Sequence, residues 1–103
     1  MFSVNDATYD LKFTRDRVKL YEAKTGGSLM AEFLNTRGMF PLSTVESIFS
    51  VALIDTNNKD VFVQPKKAIE IANAHMDEVG YAAVCVEIVN CLQRDMGFFF
   101  RQV

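Results

Sequence analysis

The side chains best equipped for chemistry are few and stand alone. One histidine, His75, and two cysteines, Cys85 and Cys91, occur in 103 residues. General acid–base catalysis needs a second group to pass the proton on, and metal binding needs several converging ligands, so a single imidazole serves neither. Cys85 and Cys91 lie six apart in a helical stretch. At 1.5 Å rise per residue they are about 9 Å apart along the axis and on different sides, too far for a disulfide. Neither has an immediate basic neighbour to favour its thiolate, and both read as small buried hydrophobes. No carboxylate spacing matches a calcium loop, and Gly26-Gly27 lacks the Lys and the glycine pattern of a phosphate loop. The expectation is a protein with no catalytic residue, no metal and no cofactor.

Bulk properties narrow the partners. The formal charge is −2, half the chain is apolar, and nine Phe and three Tyr are spread along it. That composition builds a core in one domain and does not fit disorder. The basic residues Arg15, Arg17, Lys19, Lys24, Lys66 and Lys67 alternate with acids, whereas a nucleic-acid surface needs clustered cations. No apolar run approaches the roughly 20 residues that span a bilayer. Met1 to Asp6 lacks the basic start and apolar segment of a secretory signal. Neither nucleic acid nor membrane is expected as a partner, and the cytoplasm is the expected location.

The elements that must position these residues follow from local pattern. Tyr9, Leu11 and Phe13 alternate with Asp10 and Lys12, and Phe2 alternates with Val4 across an Asn5-Asp6 turn, which predicts an N-terminal β-hairpin. Thr14 caps a charged helix over Arg15 to Lys24, stopped by Gly26-Gly27. Ser28 caps a second helix, Leu29 to Asn35, stopped by Gly38. Ser43-Thr44-Val45-Glu46 reads as a capping box for an apolar helix through Ile54, with Val45, Ile48, Phe49 and Ala52 as its stripe. A loop follows, then a brief extended segment at Val61-Phe62-Val63. Pro65 starts a helix whose inner face is expected at Ile69, Ala72, Met76 and Val79. After Gly80 a last helix runs from Tyr81 to Met96, its wet face marked by Glu87, Asn90 and Arg94. The expected fold is therefore α+β and mainly α, a hairpin packed on about five helices. One domain spans 1–103: hairpin 1–13, helical body 14–97, aromatic tail 98–103.

What stands out is spare apolar surface. Met30, Met39, Met76 and Met96 are flexible and adaptable. Met39-Phe40 forms an apolar pair in a loop between Gly38 and Pro41. Phe98, Phe99 and Phe100 cannot all face one core as consecutive residues of a helix. Met39, Phe40, Met96, Phe98, Phe99 and Phe100 are the expected partner-binding residues.

The order of parts carries a resemblance. A short hairpin runs into Tyr9-Asp10-Leu11-Lys12-Phe13-Thr14, and a helix ends in Tyr21-Glu22-Ala23-Lys24-Thr25-Gly26-Gly27-Ser28-Leu29. An apolar helix from Leu42 to Ile54 and a Pro-started helix come next, and the chain closes on Gly97-Phe98-Phe99. This arrangement resembles the small tail assembly chaperones of long-tailed bacteriophages and prophages of Gram-positive bacteria, which are similar in role to the lambda G protein. The resemblance covers nearly the whole chain, through motifs of packing and not of catalysis. It implies a protein of the host cytoplasm that binds the long helical tape measure protein, with the tail tube protein as a second candidate partner. It also implies absence from the mature virion. Homo-oligomer formation stays open. The competing classes are a structural virion protein such as a neck or tail-completion subunit, a small enzyme, and a bacterial regulator that pairs through its last helix.

Overall fold

Asn5 and Asp6 take left-handed backbone at φ 50° and 68°, the pair of positive values that a two-residue hairpin turn of type I′ requires. In the computed structural model, which describes residues 1–101, this turn joins β1 (Phe2–Val4) to β2 (Ala7–Leu11), with Phe2 opposite Tyr9. The expected hairpin is present, but it is half of the sheet. Two further antiparallel strands, β3 (Leu53–Asp55) and β4 (Val61–Phe62), extend it in the order β1-β2-β3-β4.

Here the structure corrects the sequence reading. Leu53 and Ile54, expected as the end of an apolar helix, leave it and become a central strand, with Leu53 opposite Leu11 and Ile54 opposite Phe62. The reason lies in backbone satisfaction. A helix end leaves carbonyls without donors, and here the Lys12 amide donates to the Ala52 carbonyl at 2.8 Å while Arg17 Nε donates to the Val51 carbonyl at 2.5 Å. The helix therefore stops at Ala52, where β2 and the following segment supply those donors.

The helical layer comprises α1 (Arg15–Thr25), α2 (Leu29–Thr36), α3 (Leu42–Ala52), α4 (Pro65–Val79) and α5 (Tyr81–Asp95), followed by a 3-10 turn at Gly97–Phe100. Thr14 and Ser28 cap α1 and α2 as expected, their hydroxyls accepting from the Arg17 and Ala31 amides. The capping box does not form. Pro41 sets the start of α3 at Leu42, so Ser43 already lies inside the first turn, and Glu46 instead accepts from Asn73 on α4 at 2.7 Å.

α3 is central, with Val45, Ile48, Phe49, Ser50, Val51 and Ala52 all buried. Its contact with α4 is the most extensive between any two elements. The inner face of α4 is rotated from the expected one: Ala68, Ile71, Ala72 and His75 are buried, and Val79 is exposed. Small Ala68 and Ala72 admit α3 closely, and His75 lies inside with its Nε2 facing Glu87 of the next helix. The remaining core comes from Leu11, Leu29, Phe40, Leu53, Ile88 and Leu92.

Candidate protein-docking face

The one histidine that the sequence offers for chemistry lies inside the fold, paired with a carboxylate of the next helix. His75 is 2% exposed, its Nε2 lies 2.8 Å from Glu87 Oε2, and Phe2 stacks on the ring at 4.1 Å and 15°. His75 Nδ1 is buried with no hydrogen-bond partner. Phe2 covers the imidazole, so no substrate reaches it. Glu87, expected on the wet face of α5, is half-buried by this pairing.

Beside it, Arg94 ties the C-terminal end of α5 to the sheet. Its guanidinium donates to Asp95 at 2.8 Å, to Asp10 at 3.1 Å and to the Leu11 carbonyl at 2.5 Å. Asp95 in turn accepts from the Phe13 amide at 2.9 Å. Burial alone disfavours the charged Asp95 carboxylate, but the hydrogen bonds from Arg94 and the Phe13 amide outweigh it and hold its pKa below the ordinary value. Cys91 lies 3.7 Å from Asp10 Oδ1, and burial together with that carboxylate pushes the thiol pKa up, away from a reactive thiolate. Among the described residues no three His, Cys, Asp or Glu side chains group closely enough to hold a metal ion, and no helix is long and apolar enough to cross a membrane.

The opposite flank of α5 is apolar. Phe33, Gly38, Met39, Val86 and Val89 line a shallow groove between the end of α2 and α5, with Arg37 and Asn90 at its margins. Gly38 makes the groove possible. Its φ is +83°, and a Cβ there would stand 3.2 Å from Val89 Cγ2 and 3.5 Å from Phe33. Only a residue without a side chain lets the loop approach α5 this closely in that conformation. Leu34, Met39 and Val86 are 67%, 50% and 58% exposed.

The groove opens onto the outer face of α5. The exposed positions of that helix are Ala82, Ala83, Val86, Asn90, Gln93 and Arg94. Only Arg94 is charged, and its charge is engaged as described above.

The structure divides the expected binding residues. Met39 is half-exposed on the groove. Phe100 is half-buried and meets Phe33 edge-on at 5.5 Å, which places the 3-10 turn against the groove wall. Phe98 is 44% exposed, with the Arg15 guanidinium 4.3 Å from its ring and Phe99 at 4.6 Å. Phe40 and Met96, in contrast, are core residues. Phe40 is fully buried under Phe33 with its carbonyl accepting from the Tyr81 hydroxyl, and Met96 closes the end of α5 at 3% exposure. Neither presents a surface to a partner in this fold. The loop at Met39-Phe40 splits its pair, one side chain out and one in. The last two residues of the expected 98–103 tail lie outside the described residues.

Leu34, whose place in the second helix suggested an inward side chain beside Leu29, Met30 and Phe33, is exposed, and Val86 was missed as a surface residue, whereas Phe33 and Val89 are half-buried against the core. The signal was in the sequence: placed on a helical wheel, Ala82, Ala83, Val86, Asn90 and Gln93 share one arc that holds no charge before Arg94. Compared with known proteins, the chain matches no family model, no curated protein and no solved structure.

Proposed function

We propose that this protein is a non-catalytic tail assembly chaperone of a long-tailed bacteriophage or prophage, which holds the hydrophobic helical tape measure protein in the host cytoplasm until the tail tube assembles around it. The observation that carries the reading is the groove of Phe33, Met39, Val86 and Val89, continuous with an outer helix face that carries almost no charge. An amphipathic partner helix lays its apolar stripe into such a groove through anchors one turn apart. A shallow site with a flexible thioether at its rim suits grip that must be reversible and tolerant of a varied partner sequence. The order of elements, which resembles the tail assembly chaperones, supplies the identity of the helix.

Co-expression with the tape measure protein tests the proposal. The wild-type chain keeps that protein in the supernatant, and Met39→Asp together with Val86→Asp sends it to the pellet while circular dichroism stays unchanged. Equal solubilisation by a folded double variant removes the groove from the account. Mass spectrometry of purified particles separates a chaperone, which is absent from them, from a neck or tail-completion subunit, which is present.

A further inference from the structure

We infer that the outer face of α5 also docks a second copy of this chain, as a two-fold pair with Val86 next to the axis. In an isologous contact each patch meets itself, so any charge near the axis faces its own kind. The outer faces of α1 and α4 fail that requirement. The exposed positions of α1 include Arg15, Asp16, Lys19, Glu22 and Lys24, and those of α4 include Lys66, Lys67, Glu70, Asp77 and Glu78. The α5 face passes it, with Ala82, Ala83, Val86, Asn90 and Gln93 between the two ends of the helix. Ala82 and Ala83 let a second helix approach, Val86 supplies exposed apolar area, and Asn90 and Gln93 are amides that donate and accept equally well to their own copies.

The flanks are complementary under the same rotation. Asn90 stands on a ridge between two depressions, one bordered by Arg37 and the other by Glu87. A two-fold axis running along α5 past Val86, which sets the two helices parallel, brings one flank of the ridge against the opposite flank of its partner, so Arg37 of each copy approaches Glu87 of the other. Arg37 has no ion-pair partner among the described residues. Glu87 uses only Oε2 toward His75, which leaves Oε1 to receive it.

The inference rests on the chaperone reading in one respect only: there the paired state shields the apolar groove until a tape measure helix displaces the second copy. Sedimentation of the purified chain over a concentration series up to about 100 μM is the test, because self-association follows mass action. The wild type sediments as a dimer that dissociates on dilution. Val86→Glu and Val86→Lys each weaken pairing about tenfold or more, and an equimolar mixture of the two restores it. A wild type that stays monomeric overturns the inference, as does undiminished pairing in both variants or a mixture that fails to restore it. Circular dichroism of each variant checks that it is folded, and Arg37→Glu, on the exposed flank, provides a second route to the same weakening. A monomeric chain that still solubilises the tape measure protein ends the pairing alone, and a dimer that does not solubilise it ends the chaperone reading alone.

Discussion

α4 and α5 are both 15 residues long, adjoin across Gly80, and each bury one stripe against the same core. Their outer faces differ completely. α4 presents Lys66, Lys67, Glu70, Asp77 and Glu78 to solvent, the ordinary surface of a helix that touches nothing else. α5 presents alanines, Val86 and two amides. Of the charges that α5 carries, Glu87 meets His75 through Oε2, and Arg94 with Asp95 ties the helix to β2 and the residues after it. Two helices of equal length and similar burial therefore present different surfaces, charged on α4 and nearly uncharged on α5, and that difference is what the proposed docking face rests on.

Substitutions across α5 sharpen that contrast most. Ile88 is fully buried on the inner side of the helix, and Ile88→Ala is expected to cost about 2–5 kcal/mol from lost transfer and a residual cavity. Val86→Ala, two residues away and on the outer side, changes stability by about 0.5 kcal/mol or less. Urea denaturation of the two variants at one low protein concentration measures both. Equal costs would mean that Val86 packs inside and that the outer face is misassigned.

The next effect belongs to the groove floor. Gly38→Ala forces a left-handed conformation on a residue with a Cβ, at about 1–2 kcal/mol. That Cβ also stands 3.2 Å from Val89. A lowered melting temperature with weaker partner binding is expected. An unchanged melting temperature would show that the loop relaxes away from α5.

A smaller effect separates the latch end of α5 from its docking face. The folded pKa of Asp95 lies below its ordinary value, so its contribution to stability is present above the ordinary carboxylate range. That contribution is lost as pH falls through the depressed folded value. Asp95→Asn is expected to flatten this part of the acid limb of a stability–pH curve while leaving partner binding at neutral pH intact. A limb as steep as that of the wild type would contradict the Arg94–Asp95–Phe13 arrangement. The smallest effect is on α4, where Lys66→Ala is expected to shift stability by about 0.5 kcal/mol or less and leave solubilisation of the partner unchanged.

Much of this fold was legible in the sequence where a local rule decides the outcome. Asn5-Asp6 specified a tight turn, Thr14 and Ser28 specified helix starts, and Pro65 specified the start of α4. Reading failed where a distant partner decides. Leu53 and Ile54 continue the apolar stripe of α3, and only the Lys12 amide and Arg17, more than 30 residues away, turn them into a strand. For His75 the sequence left open a packed or a half-exposed side chain, and its partner Glu87, which sits on the next helix, was not legible. For the docking face the same division holds. Met39 and Phe98 are exposed as expected because each sits outside the long helices. Phe40 and Met96 are buried because the loop and the end of α5 turn those side chains back onto the core, a matter of direction that residue type does not encode. Val86 was hidden inside a run of β-branched residues whose other members, Val84 and Ile88, do face inward.

Hydroxyl-radical footprinting of the chain, alone and co-purified with the tape measure protein, tests the central claim most directly. Met39 carries an exposed thioether at the groove rim, and its oxidation to the sulfoxide reads accessibility. The account predicts that Met39 oxidises readily in the free protein at high dilution and is protected in the complex. Undiminished oxidation of Met39 in the complex, with protection appearing instead over the charged faces of α1 or α4, would contradict it.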